Sequence, residues 1–438
     1  MAASALDRGL SPSRAVFDNG VVVLVQPNAT TPAVAVNATF YTGCQYEPPD
    51  LPGVAYLTAR LLDRGTERRS AAEIAEVLDD RGVALRIWAA RHAFTLSYVC
   101  LTDDFDVLLE VASEVLRWPS FPEDELEKRR IEAITAVRQD YDSTAVRSAQ
   151  AAVEDLYGPD HLYGRPSKGR IAALERIGRA DIAAYHRSAV VPSALRLAIV
   201  GDVAAEAAID LAARVFDAWR GAPPPDEPVP PPPRTHRSVR FVSMPGKSQS
   251  DIAYGFTTIR RVDPRYYAYW MLNNILGQFG LGGRLADNIR ERQGMAYYAY
   301  STLDATVGEG PLLIRAGVDP SNVERAVEAI DHEVRGLCVD GPTFAEVEDT
   351  RESLIGSIPR LLETNESIAD FLQSVEQFGL GLDFDRQLPG LLRQVTQDDV
   401  MDAAREVLNP ARAAIGVAGA DGPGCGRRLS PPPVVEAS

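Results

Sequence analysis

Histidine, lysine and cysteine are scarce in this 438-residue chain, which has five, three and four of them. The histidines are His92, His161, His186, His236 and His332. No two stand at i and i+4, the spacing by which one helix face offers two imidazoles to a metal. The cysteines, Cys44, Cys100, Cys338 and Cys425, are far apart. That excludes a disulfide scaffold and a CxxC metal site, and fits a reducing compartment. Positive charge is also short, with 45 Lys+Arg against 61 Asp+Glu and a formal net charge of −16. Nucleic acids and anionic membranes both require clustered cations, so neither is expected as a partner. No apolar run reaches the ~18 residues of a membrane span. Residues Met1 to Arg14 lack the apolar core of a secretory signal, so the expected location is cytoplasmic.

The chain has the composition of an ordinary globular protein, with 45% hydrophobic and 24% charged residues. At roughly 100–200 residues per domain, its length predicts two to four domains. Prolines 223–225 and 230–233 crowd near the midpoint. Such a segment has few backbone donors and favours extended polyproline II, so it reads as a linker. The expected organisation is therefore a domain over 1–221, a linker over 222–236, a second domain over 237–425 and a flexible tail over 426–438. The halves also resemble each other. Shifted by 218 positions, Asp181 meets Asp399, Ile182 meets Val400, Pro192 meets Pro410 and Gly201 meets Gly419. Each copy reads as a short helix, a proline stop and an apolar strand ending at glycine, which points to a duplicated domain.

Patterning predicts strands at 21–25, 34–40, 84–89 and 94–101 in the first half, with helices at 53–63, 71–80, 105–117, 122–141 and 145–157. The second half repeats the order: strands near 239–242, 251–256, 296–303 and 312–317, and helices at 265–277, 284–292, 323–336, 344–361 and 367–378. The expected fold class is α+β, with two homologous sandwich domains, each a mostly antiparallel sheet with helices packed on it.

Several motifs recur in a definite order. The first half carries Gly53-Val-Ala-Tyr-Leu-Thr-Ala-Arg-Leu-Leu-Asp-Arg-Gly65-Thr66, His161-Leu-Tyr-Gly-Arg-Pro166 with Gly169, and Val200-Gly201-Asp202-Val203. The second carries Gln249, Gly282-Gly283-Arg284-Leu285 and Arg290-Glu-Arg-Gln-Gly-Met-Ala-Tyr297. In these motifs the chain resembles the insulinase/pitrilysin family of inverted zinc metallopeptidases, which includes processing-peptidase subunits. Active members carry H-x-x-E-H on the first helix. Two histidines on one face ligate zinc, and the glutamate between them takes a proton from the bound water. The resemblance places that motif on Tyr56-Leu-Thr-Ala-Arg60. Tyr56 and Arg60 stand at the ligand positions and Ala59 at the base position, while the third ligand, a glutamate, falls near Ala136. None of the four supplies the required chemistry, so no metal is expected in this chain. The resemblance further implies that Arg290 and Tyr297, seven residues apart, form the pair that faces the zinc in active members. A guanidinium fork suits peptide carbonyls or a carboxylate, and a phenol can donate to an oxyanion.

The implied function is that of a non-catalytic subunit in a heterodimeric zinc peptidase. Arg290 and Tyr297 would bind peptide beside a zinc held by a paralogous partner. The alternative is a peptide-binding or scaffold protein of the same fold with no proteolytic role.

Overall fold

The structure is a computed structural model that describes residues 9–225, 228–278 and 282–420. The tail expected from residue 426 lies outside those residues. The strands are β1 (Ser13–Val16), β2 (Val22–Pro27), β3 (Ala33–Phe40), β4 (Arg86–Ala89), β5 (Phe94–Leu101), β6 (Leu195–Gly201), β7 (Ser238–Ser243), β8 (Ser250–Thr257), β9 (Ala296–Leu303), β10 (Pro311–Val318) and β11 (Ala414–Gly419). They form a six-stranded sheet in the order β1-β2-β6-β3-β5-β4 and a five-stranded sheet in the order β7-β11-β8-β10-β9. Each sheet is antiparallel except for one pair, β2 with β6 and β11 with β7. The expected α+β class, with mostly antiparallel sheets, is what the chain adopts.

The chain divides into two units, each drawn from both halves of the sequence. One comprises Met1–Val137, Pro166–Glu227 and Ser357–Leu388, and the other Arg138–Arg165, Pro228–Gly356 and Pro389–Ser438. In the first unit, helix Asn365–Phe378 lays Ile368, Ala369 and Leu372 on Val22, Leu24, Ala198 and Val200 of the sheet. Burying a side chain the size of Ile368 or Leu372 contributes roughly 1.5–3 kcal/mol. In the second unit, helix Thr144–Tyr157 does the same against β8 and β11. There Gly416 lets the helix backbone close in, since a Cβ at that position would stand 2.0 Å from the Ser148 carbonyl oxygen. The central strand β3 is buried on both faces from Val34 to Phe40. Its apolar residues therefore run on where a half-exposed strand would alternate.

Capping residues fix several helix starts. Ser70 and Glu73 form a capping box at helix Ala71–Asp79, and Thr396 and Asp399 form another at Gln397–Val407. Helix Val54–Leu61 follows Gly53, whose φ of 104° is cheap only for glycine. Its first N–H groups are satisfied by a distant carboxylate: Glu47 Oε1 accepts from Gly53 N at 2.9 Å and Ala55 N at 3.0 Å.

Candidate functional site

Helix Val54–Leu61 carries Tyr56, Ala59 and Arg60, the residues expected from the resemblance at the zinc-motif positions. Leu57 and Leu61 face the core, and Thr58 turns its hydroxyl back onto the Val54 carbonyl at 2.7 Å. Ala59 is buried, whereas Tyr56 and Arg60 are half-buried on the remaining face. The Arg60 guanidinium lies over the Tyr56 ring, 5.7 Å from its centroid. Its Nη2 donates to Glu132 Oε2 at 2.7 Å, on helix Glu123–Asp142. Arg129 Nη1 donates to the same carboxylate oxygen at 2.8 Å. The Arg60 hydrogen bond, followed by the charges of Arg129 and Arg60, holds the Glu132 carboxyl below its ordinary range. Ala136 lies one turn further along that helix and is half-buried.

Zinc does not fit these residues. A guanidinium has no lone pair to donate and repels a dication, an alanine methyl offers nothing, and Glu132 is already bound by two arginines. Among the described residues no group of three or more His, Cys, Asp or Glu side chains could hold a metal ion. The Arg60–Glu132 pair, which sequence reasoning did not foresee, ties the two helices together where a metal would otherwise bridge them. The i, i+4 spacing from Glu132 to Ala136 was the one available hint that the acid lay a turn from the expected ligand position.

Arg290 and Tyr297 belong to the second unit. Arg290 lies in Ala286–Arg292, a segment with wide π-type helical turns where an α-helix was expected. Its Nε stands 3.3 Å from Glu291, and the side chain keeps 37% of its surface exposed. Gly294, at φ 61°, makes a turn, and its N–H donates to the Arg290 carbonyl at 3.1 Å. Tyr297 is the second residue of the edge strand β9 and is 85% exposed, the largest value among the exposed large hydrophobic side chains of the described residues. Register along this strand is interrupted: Gly317 pairs with Tyr298 and Val318 with Ala296, so Tyr297 has no residue opposite it on β10. It is the extra residue of a β-bulge, a device that re-aims a side chain.

His161 forms a cluster with Tyr157 and Tyr163, its ring centroid 5.0 and 5.9 Å from theirs, which are 5.2 Å from each other. Its Nδ1 accepts from the Tyr163 N–H at 3.1 Å. Its role is the packing of that loop.

A chain with two such sheet-and-helix units and a zinc-motif helix bearing Tyr56, Ala59 and Arg60 belongs to a class of peptidase-like proteins that lack the metal ligands. Residues 22–159 match the family described as "Insulinase (Peptidase family M16)", and residues 176–354 match "Peptidase M16 inactive domain". The protein belongs to this insulinase-type M16 family. Among its relatives, "Uncharacterized zinc protease YmxG" of Bacillus subtilis is 24% identical over 355 residues, covering 81% of this chain and 85% of the relative. "Non-peptidase homolog YmxG" of Helicobacter pylori is 20% identical over 390 residues, covering 87% and 88%. The crystal structure of a peptidase M16 inactive domain from Pseudomonas fluorescens has the same fold, with a TM-score of 0.88 at 24% identity over 94% of this chain and 98% of the other.

Proposed function

We propose that this chain is the non-catalytic subunit of a two-chain zinc peptidase. Arg290 and Tyr297 hold the backbone of an extended peptide while a paralogous partner supplies the zinc and the general base. One observation carries the reading: Arg60 and Glu132 are joined where the metal would sit, whereas Arg290 and Tyr297 remain solvent-accessible and lie on either side of a single glycine turn. Arg290 can donate a pair of hydrogen bonds to a carbonyl or a terminal carboxylate. The Tyr297 phenol can donate to the oxyanion of a tetrahedral intermediate. The site of action is the cytoplasm, and neither nucleic acid nor membrane takes part.

The test is reconstitution with the zinc-bearing paralogue from the same host. The purified chain alone is expected to contain no stoichiometric zinc and to cleave no peptide. The pair is expected to cleave peptide, and Tyr297→Phe should lower kcat by about 10²–10³, the scale of a lost oxyanion donor. Arg290→Ala should abolish activity. Full activity of the Arg290→Ala pair would refute the role given to this residue. A second reading, a peptide-binding scaffold without proteolytic role, is favoured by the name of the Helicobacter relative. Co-purification that recovers no zinc-bearing paralogue would select it.

A further inference from the structure

The bulge that turns out Tyr297 is built by a buried polar row across three strands. Asp251 on β8 pairs in register with Gly317 on β10, which in turn pairs with Tyr298 on β9. The carboxylate is 1% exposed. Among the described residues it is met by neutral donors rather than a cation. The Tyr298 hydroxyl donates to Oδ1, the Thr144 hydroxyl donates to Oδ2 at 2.5 Å, and Gln249 Nε2 lies 3.2 and 3.3 Å from the two oxygens. Gly317 makes this row possible. A Cβ there would stand 2.6 Å from Gln249 Nε2 and 2.7 Å from Tyr298 Cε1, so both side chains lie across the space that glycine leaves open. The Tyr298 ring is thus drawn inward over β10 toward Asp251. Its neighbour Tyr297, unmatched in register, points out.

We infer that Asp251, with Gln249, Gly317 and Tyr298, is the positioning assembly that sets the direction of Tyr297 for peptide binding. This rests on the peptide-binding reading above and deepens it. Two physical arguments support it. A buried carboxylate is costly unless its hydrogen bonds are supplied, so a strand that places one at this position needs all three donors in place. A bulge costs ladder pairing, and it persists where neighbouring contacts hold the chain in that register. The Tyr298–Asp251 bond supplies such a contact one residue from the bulge. None of the four positioning residues needs to touch the peptide. Their effect reaches it through Tyr297.

The test uses the full chain and fluorescein-labelled β-casein, an unfolded polypeptide, with affinity read by fluorescence polarisation. Each variant is checked for an unchanged circular-dichroism spectrum. Tyr297→Phe and Tyr298→Phe are each expected to weaken binding about tenfold, the scale of one hydrogen bond to a charged group. The double variant should be no weaker than either single one, because Tyr298 acts only through Tyr297. Asp251→Asn, which keeps an acceptor for the Tyr298 hydroxyl, should retain affinity that Asp251→Ala loses, and Gly317→Ala should lose it as well. If Tyr297→Phe weakens binding while Tyr298→Phe does not, or if the two effects multiply, the positioning assembly is refuted and the peptide-binding reading stands. If wild-type chain does not bind β-casein, or if neither Tyr297→Phe nor Arg290→Ala weakens binding, both fall together.

Discussion

Acidification should destabilise this protein through a histidine that is not part of the candidate site. His186, on helix Arg179–Ala189, is 7% exposed, with Nε2 2.8 Å from the Leu116 carbonyl and its ring edge-on to Phe121 at 5.5 Å. Burial disfavours the imidazolium and brings the pKa from 6.5 down to about 4. Between those values the unfolded chain binds the proton and the native chain does not. Stability therefore rises with pH across this window and is lost as pH falls from about 6.5 toward 4. At 1.36 kcal/mol per tenfold change, the full loss from this residue is about 3 kcal/mol, and about 2 kcal/mol of it is already gone at pH 5. His92, also buried and brought down to about 4, adds a loss of the same sign. The measurement is urea unfolding of wild type and His186→Gln at pH 7.5 and pH 5.0. The stability advantage of wild type over the variant should shrink by about 2 kcal/mol at the lower pH. A difference that does not change with pH would show that the native imidazole titrates normally and that the burial argument is wrong.

Two further outcomes follow from buried groups. Glu47→Ala removes the acceptor of two backbone N–H groups at the start of the zinc-motif helix. It should cost about 1–3 kcal/mol, seen as a lowered Tm, and a variant that melts with wild type would show that water replaces the carboxylate freely. Burial pushes the Cys338 thiol up to about 11 and the Cys100 thiol up to about 12. Iodoacetamide at pH 8 should leave both largely unmodified in the native chain by peptide mass mapping, and rapid labelling of either would show that the buried Cys100 or the half-buried Cys338 forms its thiolate more readily than its surroundings allow.

Most of the architecture was legible because the apolar periodicity was strong. Strand β5 and helices Phe105–Arg117 and Phe344–Leu361 fall at the positions the pattern predicts. Three elements escaped it for physical reasons. Strand β1 is four residues long and half-exposed, too short for alternation to register. Helix Phe384–Gln394 contains Pro389, which reads as a breaker. Helix Ala205–Phe216 buries Ala208, Leu211, Ala212 and Phe216 at helical spacing, but further alanines flank that stripe and blur its edge. The exchange of covering helices between halves was also illegible, because an amphipathic pattern states that a face is buried but not against what. In the site, residue identity led only to the expectation that Tyr56, Ala59 and Arg60 stand at the motif positions; only coordinates revealed what Arg60 grips. Asp251 is the instructive omission. A lone carboxylate inside the apolar strand Ser250–Thr257 is a conflict between local pattern and fold, and such conflicts tend to mark sites.

The two units handle charge in opposite ways. In an active enzyme the zinc ion would draw together ligands from two helices. Here the cation is Arg60 itself, covalently part of one helix, and its anion Glu132 belongs to the other. Both partners are about two-fifths exposed, so the pair contributes at most about 1 kcal/mol and the helices must be held mainly by their apolar faces. Leu57 and Leu61 on one helix and Leu126 and Ala133 on the other are inaccessible to solvent, so each helix is anchored by its own apolar face. In the second unit the carboxylate of Asp251 is buried, is met by hydroxyl and amide donors, and sits beneath the one tyrosine turned fully outward. The partly exposed Arg60–Glu132 pair adds charge at the surface without upsetting the core. A buried acid two strand pairings away from an exposed phenol is instead a cost that packing alone does not require, and it is there that the chain keeps a specified surface.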